Sequence, residues 1–314
     1  MKNDNLIGIK CPYCSNPSPK IRYDFDKCAI VRCLSCSLMW LYPIPEPHQI
    51  ADVYGEEYYS NKAFLSSYKE DQIWGYVDYI AERINKQYGY QKLVRNAKNM
   101  LLSQQQEYFP QENQRWLDVG CGLGYLLDVA FDDGFSVTGV EFNSSAVEYI
   151  CSKYKFDVRH GDITNIEFEK LFDVISLMDV IEHLRDPFNV IKKIRELISE
   201  DGLLILTTMD SDGLVSRILG KRLEDFRRIR EHLYFFSRKS LTDALSSNGW
   251  EVVAIESIGH TFKLGFLIDR IGLMFPFFSR LLRAIVWPKW LLEANFYLDP
   301  RTKMVIFARP RQKL

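Results

Sequence analysis

RWLDVGCGLGYLLDVA, residues 115–130, decides how this chain folds. An apolar run closes on Asp118, glycines stand at 120, 122 and 124, and apolar residues then recur at helical spacing. The pattern is a strand, a glycine turn and the start of a helix. Glycine lets the backbone take positive φ and lets a ligand come close. Such a turn aims backbone N–H groups and a helix N-terminus at what it holds. A dinucleotide is met by G-x-G-x-x-G; here the spacing is G-x-G-x-G, with an acid two residues before the first glycine. A carboxylate and a phosphate at one spot would repel. The turn suits a ligand that brings a cationic amine instead, such as the methionine end of S-adenosylmethionine.

Outward from this turn, strands and helices alternate. A helix is expected over 124–133 and a strand over 136–142 (SVTGVEF). The next helix, SSAVEYICSKY, opens on a Ser-x-x-Glu start, Ser145 and Glu148. Short strands follow at Phe156–Arg159 and 172–180 (FDVISLMDV), then a helix at Phe188–Ile198 and a strand at Leu203–Thr208. A helix at Ser240–Ser247 and strands at Trp250–Ser257 and Lys303–Arg309 complete the series. This alternation implies a mostly parallel sheet covered on both faces. Two more acids sit where successive strands end. Glu141 is placed to accept both ribose hydroxyls of a nucleoside, and Asp162 to meet the adenine amino group. Each acid taken singly could merely cap a turn or helix.

LDVGCGLGYLL, VTGVEF, GDI, FDVISLMDVIEHLRDP and GLLILTT resemble, in order, the successive motifs of class I S-adenosylmethionine-dependent methyltransferases. The resemblance covers roughly 115–257 and the last strand. It implies a Rossmann-like α/β fold with a seven-stranded sheet whose last strand is antiparallel. It also implies that Asp118, Gly120, Gly122 and Gly124 line the methionine end, that Glu141 binds ribose and Asp162 adenine. Met178 and Asp179 would then pack near the sulfonium.

Seven cysteines occur, and four form CPYC (11–14) and CLSC (33–36). Two CxxC pairs at this separation suit a tetrahedral zinc site, with Cys11, Cys14, Cys33 and Cys36 as ligands. Cys28 could compete with Cys33 but breaks the symmetry. Cys121 and Cys151 read as small buried residues. The expected organisation is a zinc ribbon over 1–45, a linker and helical segment over 46–110, and the main domain over 111–314. YPIPEPH (42–48) reads as linker, and Ile73, Val77, Ile80, Ile84, Leu93, Ala97 and Leu101 mark a helical block. The ribbon and the following SLMWLYPIPEPHQIADVYGEEYYS look like methyltransferases of surface-polysaccharide and natural-product pathways. HLYFFSRKSLTDALSSNGWEV (232–252) looks like the same group.

His183, just past the fourth strand, is the first candidate general base, and His232 the second. Asp179 could serve as base or ligand contact. Each histidine could instead be structural. Glu182 and His183 offer two ligands for a divalent ion, but no second cluster in the sequence completes the set. Two stretches interrupt the alternation. The 209–238 insertion carries Arg217, Lys221, Arg222, Arg227, Arg228 and Arg230 against Glu224, Asp225 and Glu231, a basic lid or a solvated helix. The 259–298 insertion is rich in Phe, Leu, Ile and Trp with interspersed bases. It reads as a cap on the sheet edge or a second subunit, or as an interfacial hairpin at a membrane near a lipid-linked saccharide.

The chain has 314 residues, 47% hydrophobic and 26% charged, with net charge −1. That balance supports a sizeable core in one to two domains and supplies no global pull toward nucleic acid. The polar start and the clustered thiols argue for a reducing, cytoplasmic compartment, with peripheral membrane contact through 259–298 left open. The expected activity is methyl transfer from S-adenosylmethionine to a sugar hydroxyl, free or in a glycan, nucleotide-sugar or lipid-linked form. The alternatives are ribosomal or transfer RNA, a quinone or other small aromatic, and a non-catalytic S-adenosylmethionine sensor.

Overall fold

The structure, a computed structural model, describes residues 8–17, 19–55, 83–102, 114–265, 268 and 287–312. The chain begins with three antiparallel strands, β1 (Pro19–Asp24), β2 (Ala29–Cys33) and β3 (Met39–Tyr42). Helix α1 (Pro47–Val53) starts inside the stretch expected to be linker, because Glu46 and Gln49 form a capping box and Pro47 sits in the first turn. Helix α2 spans Arg83–Leu102 and buries Leu93, Ala97 and Leu101, part of the expected helical block. Ile73, Val77 and Ile80 lie outside the described residues.

The main sheet then forms with its helices: β4 (Arg115–Val119), α3 (Tyr125–Asp132), β5 (Ser136–Glu141), α4 (Ser144–Tyr154), β6 (Asp157–His160), β7 (Phe172–Met178), α5 (Pro187–Leu197) and β8 (Ile198–Met209). An excursion holds α6 (Leu214–Leu219) and β9 (Tyr234–Phe235) before α7 (Arg238–Ser247) and β10 (Trp250–Ser257). Next come β11 (His260–Lys263), α8 (Lys289–Leu292), β12 (Asn295–Leu298) and β13 (Lys303–Pro310). The seven strands lie in the order β10-β13-β8-β7-β4-β5-β6, with only β13 antiparallel to its neighbours. This is the Rossmann-like sheet expected from the sequence, antiparallel last strand included.

Alternate residues of the central strands enter different cores, as the two-residue period of a strand requires. Leu117, Ile175, Leu204 and Ile306 face a core that holds α5, α7 and the N-terminal ribbon. Trp116, Val174, Ile205 and Phe307 face α2, α3 and α4. The ribbon shares the first core through Val31 and Trp40. Its sheet also gains a fourth strand from the 209–238 insertion. β9 pairs with β3 through Met39↔Phe235 and Trp40↔Tyr234. Arg32 adds a two-pronged bond to Asp212, at 3.0 and 2.7 Å. The insertion is therefore packed onto the ribbon, with Phe226 and Phe235 buried against Ile30 and Met39.

One helix start differs from expectation. The N-cap of α4 is Asn143, whose side chain accepts from the Ala146 amide at 2.9 Å, so Ser145 is already inside the helix. An extended Asn satisfies the orphan amide directly, and the Ser145–Glu148 box has no role. The ends of 259–298 form a two-stranded ribbon, β11 with β12; residues 266–267 and 269–286 lie outside the described residues. No described helix is long and apolar enough to cross a membrane.

Candidate active site

The carboxyl ends of β4, β5, β6 and β7 meet on one edge of the sheet, where open α/β sheets place their ligands. The turn after β4 holds Gly120, Gly122 and Gly124 at φ of 72°, 55° and 77°. Gly120 has a second constraint, since a Cβ there would lie 2.5 Å from Cγ2 of Val180. Asp118 is buried at the end of β4. Its Oδ1 accepts from Ser176 Oγ at 2.6 Å, and Ser176 Oγ accepts from Trp116 Nε1 at 2.7 Å. Burial pushes the Asp118 carboxyl up to about 7, against the Ser176 bond and with help from nearby Glu141.

Glu141 is also buried, and burial raises it. Its two oxygens accept from the amides of Gly122 (2.8 Å) and Asn143 (2.9 Å), which fixes the carboxylate beside the glycine turn. Asn143 further donates from Nδ2 to the carbonyls of Tyr54 (3.1 Å) and Gly55 (2.7 Å), tying the chain after α1 to this edge. Asp162 is exposed, and its Oδ1 accepts from both the amide and the hydroxyl of Thr164, each at 2.8 Å. It caps a 3-10 turn, Ile163–Asn165.

Beyond β7, half-buried Met178 packs against the second core and Asp179 adopts φ 56°. Asp179 Oδ2 lies 2.5 Å from Lys303 Nζ, and its Oδ1 accepts from Thr207 Oγ1 at 3.2 Å. Burial alone would lower the Lys303 ammonium; Asp179, Asp225 and Glu182 outweigh it and push it up to about 12. The two candidate bases, remote in sequence, are neighbours. The rings of His183 and His232 stand edge to face with centroids 4.8 Å apart. His183 Nδ1 lies 2.7 Å from Tyr54 Oη and 3.0 Å from the Glu231 carbonyl. His232 Nδ1 lies 3.1 Å from the Asp225 carbonyl. A carbonyl can only accept, so the Asp225 and Glu231 carbonyls favour the tautomer with the proton on Nδ1 and the lone pair on Nε2, while the Tyr54 hydroxyl, which can donate, competes at His183. Burial, then Arg228, lowers His183 to about 4 and His232 well below its usual range. Glu182, buried beside them, is pushed up to about 8 by burial and then by Asp179.

The four ribbon cysteines come together as expected. Sγ of Cys11 and Cys36 lie 3.6 Å apart and those of Cys14 and Cys33 3.5 Å, with all four within 4.8 Å. A tetrahedron with metal–sulfur bonds of ~2.3 Å has edges of about 3.8 Å, so the thiols fit a zinc ion. Cys28 stands outside this group.

Sequence reasoning did not reach Ser176, Tyr54, Asn143 or Lys303. Only Asn143 carried a local signal, as an Asn directly before a helix. Ser176 and Lys303 act through neighbouring strands, and Tyr54 through a long-range bond.

A family model for a methyltransferase domain matches residues 88–255, more than half of the chain. The mitochondrial ubiquinone biosynthesis O-methyltransferase of Schizosaccharomyces pombe is 27% identical over 172 residues, covering 50% of this chain and 62% of that protein. Ubiquinone biosynthesis O-methyltransferase of Haemophilus ducreyi is 32% identical over 106 residues, covering 30% and 44%. The chain thus spans less than two thirds of the length of these relatives. Magnesium protoporphyrin IX methyltransferase from Synechocystis, a solved structure, superposes with TM-score 0.49 at 15% identity, covering 85% of this chain and all of that one. By the extent of the family match, set on this sheet order and glycine turn, the chain belongs to the methyltransferase-domain family.

Proposed function

We propose that the protein transfers a methyl group from S-adenosylmethionine to a hydroxyl oxygen of a small-molecule acceptor. The observation that carries this reading is the pair of buried carboxylates at the glycine turn. Asp118 and Glu141 disfavour each other's charge, and neither forms an ion pair with a described residue. A cationic amine entering beside Asp118 relieves that cost, whereas a phosphate would add to it. In this reading Asp118, Gly120, Gly122 and Gly124 hold the methionine end. Glu141 takes the ribose: each of its oxygens spends one acceptor site on a backbone amide and keeps another for a hydroxyl. Asp162 meets adenine through Oδ2, while Oδ1 serves Thr164. Met178 lies toward the sulfonium.

The cofactor, when bound, supplies a methyl group activated by a sulfonium leaving group. This chain's residues supply position and a proton acceptor. Asp179, tied to Lys303 and Thr207, holds the loop after β7 in place. The acceptor's hydroxyl proton passes to Nε2 of His183, with His232 as the alternative, while its oxygen takes the methyl and the carbon–sulfur bond breaks. Both rings are neutral, so a lone pair is available at neutral pH. The four-thiolate zinc is structural, since a closed site leaves no open position for chemistry.

The sequence resemblance favours a sugar hydroxyl as acceptor. The names of the matched relatives favour the phenolic hydroxyl of a quinone-type small molecule. The test is mass spectrometry of product formed from labelled S-adenosylmethionine, offered nucleotide-sugars, lipid-linked saccharides and a prenylated catechol in parallel. An O-methyl product from a saccharide or from the catechol supports the reading and chooses between its two forms. Failure to bind S-adenosylmethionine, or a methyl group on carbon or nitrogen, overturns it.

A further inference from the structure

We propose that Glu182, His183 and His232 form a second metal site, for a divalent first-row transition ion, separate from the cysteine cluster. One donor atom from each residue lies within 4.8 Å of the other two. Both imidazoles resemble metal ligands in their outer contacts: Nδ1 of His232 meets the Asp225 carbonyl, Nδ1 of His183 meets the Glu231 carbonyl and the Tyr54 hydroxyl, and neither Nε2 makes a hydrogen bond among the described residues. Glu182 is 2% exposed, and its Oε2 has no hydrogen-bond partner among the described residues. A buried carboxyl oxygen without a partner is costly, and a bound cation removes that cost. Lys303 acts on Glu182 only from beyond ion-pair distance. Asp179 is paired with Lys303 and Arg228 with Glu231, while Glu182 forms no ion pair with a described residue.

The backbone locks the three side chains together. The carbonyl of Glu182 accepts from the amides of Leu233 (2.8 Å) and Tyr234 (3.1 Å), which sets the loop after β7 against the segment carrying His232. Two nitrogens and one carboxylate suit Zn2+, Mn2+, Co2+ or Fe2+, and three protein ligands leave coordination positions open. The open position faces its use if the protein methylates a hydroxyl, and this part rests on the function proposed above. The acceptor oxygen binds the ion, which makes its proton easier to lose. That proton leaves to water, the oxygen–carbon bond forms and the carbon–sulfur bond breaks. With the ion in place the imidazoles hold metal and no longer take the proton.

The test uses the 314-residue chain with its cysteine cluster loaded with zinc beforehand. Mn2+ binding is followed by the paramagnetic resonance signal of the free ion, and Co2+ binding by visible absorption. One saturable Mn2+ site is expected, and a Co2+ spectrum without the thiolate charge-transfer bands of a cysteine site. Glu182→Gln and His232→Asn should each weaken binding by roughly 100-fold, the upper end of what even outer-shell partners contribute. His48→Ala, on exposed α1, should not change it. Affinity for S-adenosylmethionine and the melting temperature, measured on the same samples, show that the variants are folded. Absence of saturable binding, or equal binding by folded His232→Asn, overturns the site. Mn2+ binding with a methyl-transfer rate independent of metal overturns its role with the acceptor. Metal binding without S-adenosylmethionine binding refutes the proposed function and leaves the site standing.

Discussion

Replacing Ser176 by Ala tests the foundation of the glycine turn. Ser176 stands on β7 directly across from Asp118 on β4, and its hydroxyl links Trp116 Nε1 to Asp118 Oδ1. All three side chains are buried, Trp116 and Ser176 completely. The substitution leaves an indole N–H unsatisfied, at about 1–3 kcal/mol, and removes one bond to a carboxylate, at about 1.5–3 kcal/mol. A loss of roughly 3 kcal/mol is expected, and a melting temperature lower by about 5–10 °C. The loss should depend on pH. The folded Asp118 carboxyl is already raised to about 7, above its unfolded value, so its contribution is complete below the ordinary carboxylate range and is lost as pH rises through 7. Ser176 restrains that shift, and its removal raises the carboxyl further. The destabilisation should therefore be larger at pH 8 than at pH 5. Urea unfolding midpoints at both pH values, with an unchanged slope, measure it. Adding Trp116→Phe should recover about 1 kcal/mol by removing the stranded donor. A loss under about 1 kcal/mol, or equal losses at both pH values, would refute this account.

Affinity for S-adenosylmethionine should rise with pH, because the amine needs ionised Asp118. A carboxyl at about 7 predicts roughly 50-fold tighter binding at pH 7 than at pH 5, by calorimetry, and a flat profile in Asp118→Asn. Gly120→Ala places Cβ 2.5 Å from Val180 Cγ2 in a left-handed backbone. It should cost about 1–2 kcal/mol for the backbone alone and weaken cofactor binding, with Val180→Ala restoring part of the affinity; unchanged affinity in the single variant would sink the assignment. Cys11→Ser with Cys14→Ser should release zinc, seen by metal analysis. Because β3 pairs with β9, it should also slow methyl transfer more than it weakens cofactor binding. Full activity without zinc would show that the ribbon does not support the His232 segment.

Much of the fold was legible because its signals are local. The strand, glycine turn and helix at 115–130, the acids at strand ends and the paired cysteines each depend on neighbours in sequence. The misreadings were also local. The Ser145–Glu148 cap lost to Asn143, which could bond an orphan amide from an extended backbone, and Pro47 opened a helix within a proline-rich stretch. The tight turn that follows Asp118 could be read from its glycines. The Ser176 hydroxyl beneath it could not, because it belongs to a strand that neighbours β4 only once the sheet is ordered.

The sequence by itself determined the class of fold, the glycine turn and the cysteine cluster, since spacing of two, three or four residues encodes a strand face, a turn or a knuckle. Only the tertiary structure decided that the 209–238 insertion completes the ribbon sheet and delivers His232 beside His183 and Glu182. Those groups belong to segments with no shared local pattern. Their meeting follows from the pairing of β3 with β9 and from the backbone bonds of Glu182 to Leu233 and Tyr234, which form only when the two segments close on one core.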